Sequence, residues 1–188
     1  SKTVESLQSD LDMQVPPRRI EAFDNSNIQG KHAVAGMVCF IDGKPRKGEY
    51  RKFNIKTVKG IDDFATMHEV VTRKYKRALD EGGSLPDLIL IDGGKGQLSA
   101  AESALDGLGL GYIPIIGLAK RLEEVFKPGI SQAQSIVKTS PGLFLLRKIR
   151  DEVHRFAISF HRKKRDKKMI LSIFDGIRGM GKTRVKRL

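Results

Sequence analysis

Cysteine is nearly absent: the 188 residues hold one, Cys39, inside the apolar run Met37-Val38-Cys39-Phe40. A lone thiol excludes a disulfide framework and a cysteine-rich zinc site, so a metal would have to be held by carboxylates or histidine. No stretch approaches the roughly 20 apolar residues of a membrane span. The start, Ser1-Lys2-Thr3-Val4-Glu5, has neither an initiator methionine nor the apolar segment of a signal peptide. We therefore expect a piece of a longer, cytoplasmic protein with no membrane partner. Acidic residues are also scarce, 22 against 35 Lys and Arg, for a net charge of +13. With 39% hydrophobic residues the chain can still build a core, and its length corresponds to one ordinary domain.

The positive charge is concentrated. Between Arg162 and Leu188 eleven basic residues face two acidic ones, which places +9 of the +13 in that tail. Such a field points to a polyanion, most often nucleic acid, and the alternative is a solvated tail without a partner. A membrane-surface helix is disfavoured, because no aromatic face is interleaved with Arg162-Lys163-Lys164-Arg165-Asp166-Lys167-Lys168.

Residues 1–18 read as a partial helix and a linker ending at Pro16-Pro17. Three strands follow: Arg19–Asp24, running into Asn25-Ser26-Asn27 and a turn at Gly30; Ala33–Ile41, closed by the hairpin dipeptide Asp42-Gly43; and the alternating Glu49–Lys56. The period then changes. Asp62 and Asp63 can cap a helix carrying Phe64, Met67, Val70, Val71 and Tyr75 at 3-4 spacing. Asp87–Asp92 is a wholly apolar strand of the kind buried in a parallel sheet. Gly93-Gly94-Lys95-Gly96 turns the chain into a helix from about Gln97 to Leu108, and Tyr112–Leu118 is a further strand. Lys120–Ser140 gives no clear assignment. A long amphipathic helix comes next, with Leu145, Ile149, Val153, Phe156 and Phe160 on one face, and a turn is expected at Gly179-Met180-Gly181. The order predicts an α/β fold: a ribonuclease H-like mixed sheet of three antiparallel strands and then parallel crossovers, flanked by helices, with its first and fourth long strands parallel at the centre.

In that arrangement Asp24 and Asp92 emerge at the same sheet edge. Two carboxylates so close repel unless a cation lies between them, which predicts Mg²⁺ or Mn²⁺ bound through oxygen. Singly, each aspartate could equally be a turn or cap residue. His154 lies at the margin of the late helix's buried face. It can be a metal ligand, a proton carrier, or a structural histidine held by Asp151 or Glu152. The Gly93–Gly96 turn matches no nucleotide-binding spacing. Its glycines would let a nucleic-acid backbone approach Asp92, with Lys95 meeting a phosphate.

Several runs then match one family in order: Ile20-Glu21-Ala22-Phe23-Asp24-Asn25-Ser26-Asn27, Tyr50-Arg51-Lys52-Phe53-Asn54-Ile55, Asp62-Asp63-Phe64-Ala65-Thr66-Met67, Leu88-Ile89-Leu90-Ile91-Asp92-Gly93-Gly94-Lys95-Gly96-Gln97, Arg150-Asp151-Glu152-Val153-His154-Arg155-Phe156-Ala157-Ile158 and His161-Arg162-Lys163. On these the chain resembles the C-terminal endonuclease half of UvrC, the excinuclease subunit of bacterial nucleotide excision repair. The resemblance implies a metal-dependent DNA endonuclease that incises 5′ of a lesion, within the SOS response to DNA damage. It implies catalytic roles for Asp24, Asp63, Asp92 and His154, with Asp24, Asp92 and His154 on the metal. It also implies damaged double-stranded DNA and a UvrB-type damage-recognition subunit as partners, the latter through parts absent here. Lys95, His161, Arg162, Lys163, Lys164, Arg165, Lys167, Lys168 and Lys182 are expected to contact DNA. The endonuclease domain would cover 19–168, and 169–188 would begin a truncated helix-hairpin-helix segment. The sequence departs from the common form at Asn25 and Asn27, where many members read Asp-Ile-Ser-His, so Asn27 is given no catalytic part. A non-catalytic DNA-binding module on the same fold is the rival reading, and a junction-cleaving nuclease is a weaker third.

Overall fold

The computed structural model describes residues 1–28, 32–55, 62–121 and 123–187. Its organising element is β1 (Arg19–Ile28), which pairs antiparallel with β2 (His32–Ile41) on one side and parallel with β5 (Leu88–Asp92) on the other. Two further strands, β3 (Lys44–Pro45) and β4 (Arg51–Asn54), pair with β2. Beyond β5 lie β6 (Ile115–Leu118), parallel to it, and then the short antiparallel β7 (Glu124–Phe126) and β8 (Gln134–Ser135). Helices α2 (Asp63–Glu81) and α3 (Gly94–Gly107) are the crossovers. This is the mixed sheet that the element order predicts.

Strand alternation sorts the core into two layers. Ile20 and Ala22 of β1, Val38 and Phe40 of β2, and Leu88 and Leu90 of β5 pack with α1 (Lys2–Asp10) and the first part of α4 (Pro141–Arg187), through Leu7, Ile149 and Val153. Phe23, Met37, Ile89 and Ile91 face the other way, onto Met67, Val70, Val71 and Tyr75 of α2 and Leu98 of α3. Because β5 is covered on both faces it reads as an unbroken apolar run, each such side chain contributing roughly 1.5–3 kcal/mol. The same parity governs the strand ends: Asp24 and Asp92 continue the even-numbered rows, so both belong to the α4 side.

Several elements differ from expectation for local reasons. Strand β1 continues past Asp24 because Asn25–Ile28 find partners along β2, from Ala35 to His32. The turn expected at Gly30 lies outside the described residues, as does Lys56. Asp42 and Gly43 take φ of 53° and 80°, the left-handed pair a type I′ hairpin needs. Pro45 has no N–H to extend the returning strand, and a 3₁₀ turn, Lys47–Glu49, intervenes before β4. The partial helix expected within residues 1–18 is α1, and it packs into the core. Ser1 caps α1, Val4, Leu7 and Leu11 enter the core, and Ser140 donates to the Asp10 carboxylate.

Residues 1–157 form one compact unit and 158–188 a second, so the expected boundary at 168 falls inside the second unit. The backbone is helical through Gly179-Met180-Gly181, where a turn was expected; glycine weakens a helix without forbidding it. In the second unit Ile170, Ile173, Phe174 and Ile177 are exposed along one helical face. Among the described residues no helix is long and apolar enough to cross a membrane.

Candidate metal centre

Asp24 and Asp92 occupy one rung of the parallel β1–β5 ladder. Parallel strands run the same way, so both carboxylates leave at the same edge and on the same face. Helix α4 covers that face, with Ile149, Val153 and Ala157 buried at 4-residue spacing. His154 follows Val153 and stands at the margin, its side chain 63% exposed, with Nδ1 3.2 Å from Asp24 Oδ2. One ligand atom from each of Asp24, Asp92 and His154 lies within 4.8 Å of the others.

The electrostatics set this edge apart. Asp24 is 8% exposed, and its carboxyl is pushed up to about 7, first by burial and then by the facing Asp92 charge, against the pull of His154. Burial raises Asp92 as well, opposed by Arg150 and His154. Arg150, one turn before His154, places Nε 3.5 Å from Asp92 Oδ1 and donates from a terminal nitrogen to the Lys120 carbonyl at 3.2 Å. Arg150 was not among the expected site residues. Its i, i+4 spacing from His154 on one helix face was the available signal. Neither expected orienter holds the histidine: Glu152 accepts from the Tyr50 hydroxyl at 2.7 Å and from Arg155 Nε at 2.6 Å, and the partner of His154 is Asp24 itself.

The remaining expected residues stand apart from this cluster. Asp63 is the first residue of α2 and lies outside the three-residue group. The capping carboxylate is Asp62, which accepts from the Ala65 amide at 3.0 Å. Asp63 is tied to β1 through its carbonyl, which accepts from Asn25 Nδ2 at 3.0 Å, a link for Asn25 that the sequence did not disclose. Lys95 is exposed, donates to the Ser131 carbonyl and lies 5.2 Å from the Phe126 ring centroid. Gly94 has φ of +82°, as the turn into α3 requires. Gly96 has a packing reason instead: a Cβ there would meet the Phe64 ring at 2.3 Å. Lys167 and Lys168 are exposed. Backbone at His161, Arg162, Lys163, Lys164, Arg165 and Lys182 is helical, and their side chains lie outside the described residues.

A ribonuclease H-like sheet with an acidic edge is the architecture of a nuclease domain. Residues 8–158 match the family model of the UvrC RNase H endonuclease domain, and the chain belongs to that family. UvrABC system protein C of Flavobacterium johnsoniae is 54% identical over 182 residues, 96% of this chain and 30% of that protein. Its counterpart in Chlorobaculum tepidum is 48% identical over 188 residues, all of this chain and 30% of that protein. The chain thus spans about a third of the length of these relatives. Among solved structures, endonuclease V of Ciona intestinalis, in complex with an inosine-containing DNA, aligns with 63% of this chain and 54% of its own at 18% identity and a TM-score of 0.43.

Proposed function

We propose that this chain is the divalent-metal-dependent endodeoxyribonuclease domain that makes the incision 5′ of a lesion in nucleotide excision repair. One observation carries the reading: a buried and a half-buried aspartate on a single ladder rung, with an imidazole 3.2 Å from one of them. A pair that raises its own proton affinity is an anionic site short of positive charge, and its oxygen and nitrogen donors suit Mg²⁺ or Mn²⁺. Asp24, Asp92 and His154 would hold the ion. When bound, it supplies charge stabilisation at the scissile phosphate and acidifies the attacking water.

The protein's own groups do the rest. Arg150 favours the ionised form of Asp92, so this carboxylate is ready at lower pH than its burial would allow. His154, its Nδ1 3.2 Å from Asp24 Oδ2, would complete the ligand set of the ion. Asp63, at the start of α2, would act on the substrate side of the same edge. Lys95, Lys167, Lys168 and the other basic residues of 161–168, with Lys182, would grip phosphates without reading sequence. A UvrB-type subunit would deliver the damaged duplex through parts of the longer protein, in the cytoplasm. Placed in the full-length protein, Asp24→Asn should abolish lesion incision while the variant chain still binds DNA. Incision at the wild-type rate would refute the reading.

A further inference from the structure

Phe64 does not behave like the apolar residues that follow it in α2. Met67, Val70, Val71 and Tyr75 are buried, whereas Phe64 is 56% exposed. It is nevertheless held in place. The Asp62 carboxylate accepts from the Ala65 amide, and Asn25 Nδ2 anchors the Asp63 carbonyl, so the backbone on either side of Phe64 is fixed. The far end of the ring rests on Gly96, where a Cβ would lie 2.3 Å from both Cε1 and Cζ. Asn25 directly follows Asp24, and Gly96 lies four residues after Asp92. The ring is therefore braced against the segments that leave both aspartates. Its described neighbours in sequence, Asp62, Asp63, Ala65 and His68, are polar or small.

A fixed, exposed aromatic ring beside a phosphate-handling edge fits a nucleobase. We infer that Phe64 is a stacking platform for an unpaired or distorted base of the strand whose phosphate occupies the Asp24–Asp92 centre. This rests on the DNA reading proposed above. Every base has a π face, so such a contact gives affinity and register without sequence preference. It favours nucleotides freed from the duplex stack. Gly96 has its place in this arrangement because any side chain there would displace the ring.

The test uses the 188-residue chain in EDTA, where cutting is prevented, with oligonucleotides carrying 2-aminopurine in a single-stranded gap. Wild type should bind and quench the probe. Phe64→Leu, which keeps bulk against Gly96, should bind about tenfold more weakly and lose the quench, and Phe64→Tyr should restore both. Gly96→Ala, a change that favours the helix, should copy Phe64→Leu by pushing the ring aside. All three variants should melt with the wild type. Binding and quenching unchanged in Phe64→Leu and Gly96→Ala would overturn the stacking role and leave the DNA reading standing. A lowered melting temperature in Phe64→Leu that explains the lost binding would make the ring a packing residue. Wild type binding no oligonucleotide at any salt would bring down the DNA reading and this inference together.

Discussion

Two carboxylates stand three residues apart on β1, on opposite faces of the sheet, and the protein treats them differently. Glu21 is 0% exposed and has its own partners: the Tyr75 hydroxyl donates at 2.7 Å and Arg19 Nε at 2.9 Å. Burial and the Glu21 charge hold the Tyr75 hydroxyl well above its ordinary range, so it remains a donor. Asp24 is almost as deeply placed, yet it faces another carboxylate and an exposed imidazole. A buried charge must be compensated. At Glu21 the compensation is folded into the chain, and at Asp24, on the function proposed above, it is left to a bound cation.

The largest effect should come from exchanging the two roles. Asp24→Asn should lower incision on the order of 10³-fold or more, while Glu21→Gln leaves incision per folded molecule near wild type. Glu21→Gln should instead lose roughly 1–3 kcal/mol of stability in urea, because the partly buried Arg19 and the buried Tyr75 hydroxyl lose their charged acceptor. A smaller effect should appear with pH. In metal-free protein the folded state binds the Asp24 proton more tightly than the unfolded state, so this contribution is fully present below about pH 4 and is lost as pH rises through about 7. Asp24→Asn should therefore stabilise the metal-free chain at pH 8, on the order of 2 kcal/mol, and not at pH 4. Differential scanning calorimetry at the two pH values checks this, and Mn²⁺ at pH 8 should remove the difference by stabilising only the wild type. The smallest effect is assigned to Arg150→Ala. Without this cation Asp92 holds its proton longer, and half-maximal Mn²⁺ binding should move to higher pH.

The reach of the sequence follows from the same contrast. Leu88-Ile89-Leu90-Ile91 announces a strand buried on both faces, and with β1 at the centre its parity puts Asp24 and Asp92 together. That much of the site is one-dimensional information. His154 was ambiguous because its contact is to a residue 130 positions away. Arg150 was hidden because its partner lies on β5. The helix at the start of the chain is legible, but its place in the core is not, because Val4, Leu7 and Leu11 form too short a stripe to reveal what it covers. Strands β7 and β8, of three and two residues, contain at most one full alternation to read. The side-chain link of Asn25 to Asp63 likewise depends on the packing of α2 against β1.

We propose that Asp24, Asp92 and His154 form a cation site whose charge Arg150 offsets only in part. Mn²⁺ titration followed by electron paramagnetic resonance tests it most directly, on wild type, Asp24→Asn and Glu21→Gln at pH 8. The account predicts binding by wild type and Glu21→Gln and its loss in Asp24→Asn. Equal Mn²⁺ affinity in wild type and Asp24→Asn would contradict it.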